Sequence, residues 1–296
     1  MAIESKGIKY EEEFILNSRG LKLFTCRWAP ANQEPKALIF MCHGYAMECS
    51  ISMEGTGTRL ARAGYAVHGI DYEGHGKSSG LPGFVPSFDN VVHDCSQHFT
   101  RVCGVVALRV HRKQPDFYDG AILVAPMCKI QEEMRPHPVI VTILSKLCRF
   151  IPTWRIVPTQ DVVDSAIKET KRRVEVRANP YCYKGRPRLQ TAYQLLMASV
   201  EMEKRLNEIS LPFIVVHGGD DKVSDPSVSK LLYESASSTD KTFKLYPGMW
   251  HALTSGEPEE NMDLVFSDII EWLVKRAVNE SSRLEREQKH DHDLKK

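Results

Sequence analysis

Apolar positions along the chain fall into two spacings. Tyr10 to Leu16 and Leu21 to Trp28 alternate in the manner of edge strands, and the turn Asn17-Ser18-Arg19-Gly20 between them predicts a hairpin. Ala37 to Cys42, ahead of His43-Gly44, is a continuous apolar run of the kind buried on both faces in a parallel sheet, and a helix is expected from Thr56 to Ala63. Further strands are predicted at Tyr65 to Asp71, Ala121 to Pro126, Phe213 to Gly218 and Lys241 to Tyr246, with a closing helix over Met262 to Val278. Strands alternating with helices predict an α/β, doubly wound, mostly parallel sheet.

Between Pro126 and Pro212 the strand signal gives way to helical stretches, among them Val139 to Phe150 and Leu189 to Ile209. The division that follows is a core of residues 1–127 and 202–280, a helical cap or lid at 128–201 inserted late in the sheet, and a polar tail at 281–296 expected to lack order or to fray from the last helix. The run VIVTILSKLCRFI is apolar on most faces. Cap packing explains it, and so does a wall for greasy substrate or a dip into a membrane surface.

The 296 residues carry 39 Lys+Arg against 38 Asp+Glu, a formal charge of +1 that removes any broad attraction to nucleic acid or acidic membranes. The opening MAIESKGIKYEEEF has no basic stretch followed by an apolar one, and no run approaches the roughly 18 apolar residues of a membrane span. Eight cysteines are scattered without CxxC or clustered Cys/His spacing, so they read as reduced, mostly buried thiols of a cytoplasmic protein. Peripheral membrane contact through the cap is the alternative to a purely cytoplasmic location. The basic stretch Lys171-Arg172-Arg173 reads as a solvated helix face.

Ligands of an α/β sheet gather beyond the carboxyl ends of its strands, which directs attention to three places. His43-Gly44-Tyr45 follows a buried strand, and a glycine there lets the backbone turn so that the Tyr45 amide can face a developing oxyanion. Asp221 follows FIVVHG, and His251 comes thirty positions later, after KTFKLYPGMW. An acid followed by a histidine, late in the chain, is the α/β-hydrolase order, in which the acid fixes the imidazole tautomer and the imidazole moves the proton.

HGYAMECS, DYEGHGKSSGLPGFVPSF, HRKQPDFYDGAILVAPMCKI and DDKVSDPSVSK to KLYPGMWH resemble the plant monoacylglycerol lipase and caffeoylshikimate esterase group of α/β hydrolases, which are serine aminopeptidase S33-like. The resemblance covers nearly the whole chain. It implies an acyl transfer from an ester to water, with Asp221 and His251 as acid and base, the amides of Tyr45 and Val102 as oxyanion donors, and the cap as lid over a pocket for a small-molecule ester or lipid. It implies no cofactor.

One part of that pattern is missing. Aligned on Val106-Ala107-Leu108, Gly104 stands on a family glycine but Arg101 stands where the serine of G-x-S-x-G belongs. The chain between a helix ending near His98 and one starting near Val105 is too short for a strand and an elbow. A deletion covering a central strand and the nucleophile elbow accounts for both. Gly76-Lys77-Ser78-Ser79-Gly80 matches the expression, but it lies five residues past its strand, and Leu81-Pro82-Gly83 follows in place of a helix. Ser78 therefore reads as a structural loop serine capping local amides. Cys103, Thr100 and Ser96 are the substitutes near the scar, and His111 to Asp116 fits an HxxxxD acyltransferase expression as well as it fits a basic helix end. Three outcomes stay open: a hydrolase of little or no activity, a binding protein for a lipid or phenolic ester, and an unstable truncated product.

Overall fold

The computed structural model describes residues 2–5, 7–100, 118–127, 137–158 and 161–293. Eight strands are seen among them: β1 (Ala2–Ser5), β2 (Ile8–Leu16), β3 (Lys22–Pro30), β4 (Leu38–Cys42), β5 (Ala66–Ile70), β6 (Ala121–Val124), β7 (Phe213–Gly218) and β8 (Lys241–Tyr246). The order β1-β2-β3-β5-β4 makes one sheet and β6-β7-β8 a second. β1, β2 and β3 pair antiparallel and β3 pairs antiparallel with β5, while β4 with β5, β6 with β7 and β7 with β8 are parallel.

Both sheets share the same two cores. Leu23 and Ile70 of the first pack with Leu123, Phe213 and Val215 of the second against α2 (Phe88–Thr100) and α7 (Pro226–Ser235). On the opposite face, Phe24, Trp28 and Val67 join Ile214 and Val216 beneath α1 (Glu54–Arg62) and the long last helix α8 (Glu259–Asp293). Successive residues of β7 thus go to opposite layers, which is why its sequence is an unbroken apolar run. Within the described residues no strand pair joins β4 to β6. Leu38 of β4 is exposed and its neighbours Ile39 and Phe40 are only half-buried, unusual for a strand inside a parallel sheet.

Between β6 and β7 the described residues hold α3 (Pro138–Leu147), α4 (Val163–Ala166), α5 (Thr170–Ala178) and α6 (Leu189–Glu203), and no strand. α6 runs across residues 201 and 202, and Met202 near its end is buried in the sheet's core. The helix expected to Ile209 stops at Glu203 and is followed by a 3₁₀ turn, Leu206–Glu208. α8 continues to Asp293, into the stretch expected to lack order or to fray from the last helix. That stretch is rich in Glu, Lys, Arg and Gln, and extending a formed helix is far easier than starting one. Among the described cysteines, Cys26, Cys42, Cys49, Cys95, Cys148 and Cys182 are free thiols. No helix of the described residues is long and apolar enough to cross a membrane.

Candidate active site

Asp221 and His251 sit on adjoining loops beyond the carboxyl ends of β7 and β8. The loops are stitched to each other by backbone bonds, Gly219 N–H to Tyr246 C=O at 2.7 Å and Asp220 N–H to Met249 C=O at 2.9 Å. Gly218 is required where they cross: a Cβ there would lie 2.5 Å from the Met249 carbonyl oxygen and also strike that of Trp250. Buried Met249 and Leu253 anchor the backbone on either side of His251, and the Trp250 N–H donates to the buried Glu257 carboxylate at 2.6 Å.

The Asp221 side chain is fully buried, and His251 retains 31% side-chain exposure. His251 Nδ1 lies 2.8 Å from Asp221 Oδ2, while Asp221 Oδ1 accepts from the Val223 and Ser224 amides at 2.7 and 3.0 Å. Burial by itself would raise the Asp221 carboxyl. Hydrogen bonds from His217 and His251 outweigh it and hold the group well below the usual carboxylate range. A charged acceptor at Nδ1 fixes the proton on that nitrogen and leaves Nε2 with its lone pair, which makes no hydrogen bond among the described residues. Such an imidazole can take a proton from a hydroxyl or thiol placed at Nε2 and return it to a leaving group.

The loop after β4 differs in detail from its sequence reading. Gly44 is not left-handed; the tight turn is made at Ala46, with φ of 68°, and closed by Met47 N–H to Gly44 C=O at 3.2 Å. His43 supports this loop: it accepts from Tyr72 N–H at Nε2, 3.1 Å away, and its Nδ1 meets the Gly44 carbonyl at 2.8 Å. Burial, with His75 nearby, pushes the His43 imidazole down to about 3, so it is a neutral strut. No described residue accepts the Tyr45 amide proton, which leaves that donor available to a ligand.

Ser78 stands elsewhere. Its hydroxyl donates to the Asp71 carbonyl at 2.6 Å and accepts from Phe24 N–H at 2.8 Å, tying the loop after β5 to β3, with no bond to His251. It lines a cleft of about 290 Å³ between the Gly74–Pro82 and Pro180–Gly185 loops, which neither Asp221 nor His251 borders. Ser96 is bound within α2, its hydroxyl donating to the Val92 carbonyl at 2.8 Å. Arg101, Val102, Cys103, Gly104 and the His111 to Asp116 pattern lie outside the described residues, and Thr100 is the last residue of α2. Two members of the site escaped the sequence reading, Ser224 and His217, both bonded to Asp221 Oδ2. The signal for Ser224 was its place three residues after an aspartate, where an Asx-type turn forms.

A parallel sheet between helical layers, with an acid and a histidine on neighbouring loops past its strand ends, is the build of an α/β hydrolase. The chain belongs to the serine aminopeptidase S33 family, whose family model matches residues 33–259. It is 30% identical over 298 residues to the caffeoylshikimate esterase of Arabidopsis thaliana, covering 94% of this chain and 90% of that one. It is 27% identical over 292 residues to the human monoglyceride lipase, covering 92% and 94% of the two chains. A soluble variant of the Saccharomyces cerevisiae monoglyceride lipase, solved in complex with a substrate analog, shares the fold with a TM-score of 0.77 at 22% identity, over 90% of this chain and 96% of that one.

Proposed function

We propose that this chain is a carboxylic-ester hydrolase by descent that keeps the proton-handling half of its site and lacks the serine nucleophile, so that it engages an ester or lipid with little or no turnover. The observation that carries the proposal is the state of His251: its Nδ1 is engaged by Asp221, and no described serine, threonine or cysteine lies within hydrogen-bond reach of its Nε2. The sequence supports the same reading, since the stretch between α2 and β6 is too short for a strand and an elbow and carries Arg101 where the serine belongs.

In an active relative of this build, a hydroxyl attacks the ester carbonyl, His251 takes its proton, Asp221 steadies the imidazolium, and amides such as that of Tyr45 receive the oxyanion. Removing only the attacking group lowers turnover by about 10⁶, with oxyanion donors and binding leaving about 10³ to 10⁴ over water. The ligand class is a small ester or lipid met in the cytoplasm, and α3 is the surface that would touch a membrane, with Val139, Ile140 and Ile143 each at least half exposed.

Fluorophosphonate labelling of protein shown to unfold cooperatively, followed by mass spectrometry, tests the proposal, with His251→Ala as control. No His251-dependent adduct is expected, and hydrolysis of a chromogenic ester should match that of the control. An adduct on any serine or threonine that disappears in His251→Ala would overturn the proposal, as would a His251-dependent thiol adduct on Cys103.

A further inference from the structure

Three donors converge on one oxygen of Asp221. Besides His251, Ser224 Oγ lies 2.9 Å from Oδ2, and His217 Nε2 lies 3.0 Å from it. His217 is the penultimate residue of β7 and is fully buried, in a strand whose other five residues are four apolar side chains and a glycine. A polar ring in such a place is unfavourable unless its nitrogens are bonded. Both are. Nε2 faces a carboxylate, which can only accept, so that nitrogen carries the proton. Nδ1 then accepts from the Ser229 hydroxyl of α7, 2.7 Å away, which fixes the tautomer from behind. The Ser224 carbonyl lies 3.2 Å from Nε2, and Ser224 Oγ lies 3.1 Å from His251 Nδ1, so the serine closes the space between the two imidazoles.

Asp221 is therefore held at both of its carboxylate oxygens. The amides of Val223 and Ser224 fix Oδ1, and His217 fixes Oδ2 at the point where His251 binds. We propose that His217 is a positioning residue of this site: through its Nε2 proton it locks the Asp221 carboxylate in the rotamer that engages His251, with Ser229 setting the tautomer that allows it. The proposal rests on reading Asp221 and His251 as a hydrogen-bonded acid and base pair. It goes further in assigning a role to a fully buried group behind that pair.

The low-field Nδ1 proton of His251, assigned by its loss in His251→Ala and followed by NMR in the full chain, reports on this directly. His217→Leu keeps the bulk and removes the donor. It is expected to speed exchange of that proton with water about tenfold or more, the equivalent of one hydrogen bond to a charged group. His217→Gln, which restores an N–H, should return the rate toward that of the unaltered protein. Unchanged exchange in a cooperatively folded His217→Leu protein would overturn the proposal. If that variant does not fold, Ser229→Ala decides: it leaves the imidazole in place but frees its tautomer, and a smaller acceleration in the same direction is expected, with no change counting against the assignment. Absence of any His251-dependent low-field proton in the unaltered protein would instead sink the acid and base pair itself, so the two failures are distinguishable.

Discussion

Replacing Asp71 with asparagine removes a carboxyl whose ionisation is coupled to folding. Asp71 directly follows β5 and is fully buried; Oδ1 accepts from Cys49 N–H at 2.8 Å and Oδ2 from Lys77 N–H at 2.9 Å. Burial pushes the carboxyl from the ordinary 3.8 up to about 7, against the pull of those two amides and with the Glu48 carboxylate adding to the rise. Between these two values the folded chain holds a proton that the unfolded chain has released, so stability falls as pH rises through the window. The slope is about 1.4 kcal/mol per pH unit, or roughly 4 kcal/mol across the whole range. Asparagine cannot titrate, and its amide presents an N–H in place of one acceptor, a pH-independent loss of about 1 kcal/mol. Urea denaturation of both proteins from pH 5 to pH 8 isolates the effect, because other titrations cancel in the difference. The stability of the unaltered protein relative to Asp71→Asn should fall by roughly 2.5 kcal/mol over that interval. A difference that stays flat would refute the argument that burial outweighs the two amides at Asp71.

Two further substitutions probe the loops around the site. Ser78→Ala leaves the Phe24 amide without its acceptor, and a loss of about 1 to 3 kcal/mol in denaturant unfolding is expected with no change in fluorophosphonate labelling; a labelling change would mean that Ser78 does chemistry. Gly218→Ala drives a Cβ into the Met249 and Trp250 carbonyls, backbone atoms that cannot swing aside, so a loss of about 1 to 3 kcal/mol should accompany weakening of the His251 low-field proton. An alanine variant as stable as the parent, with that proton intact, would show that the crossing of the two loops is not tight.

What the amino-acid pattern revealed follows from how each element is buried. β7 begins and ends where its apolar run does, because burial on both faces leaves a signal in every residue, and β8, only part-buried, is bounded by its alternating pattern. β1 was not foreseen, since AIES offers too short a run for alternation to register and its pairing with β2 comes from the neighbour. α5 was legible only as the solvated face at Lys171-Arg172-Arg173, and its bounds were not, because TKRRVEVRA buries no residue and carries no apolar stripe to read. At the site, Asp221 and His251 were visible because each follows a strand at its carboxyl end. His217 was hidden by the same logic, since within β7 it reads as one more buried position, and only the fold reveals that its ring turns toward Asp221. The left-handed Ala46 had no signal, as Gly44, two residues before it, drew the expectation.

A well-formed acid and base pair is compatible with the proposed loss of the serine for a structural reason. Asp221, His217 and Ser224 belong to β7 and the loop that follows it, Ser229 to the helix after that loop, and His251 to the loop after β8. Among the described residues, the side-chain hydrogen bonds that reach Asp221 come from this one β-α-β unit and the loop that follows it, and its two strands pair along their full length. None of those bonds comes from the stretch between α2 and β6. On the function proposed above, a change confined to that stretch would remove the attacking group and leave the proton relay standing, so the quality of the Asp221 and His251 geometry carries no information about turnover. Activity in this chain turns on what, if anything, reaches the open Nε2 of His251.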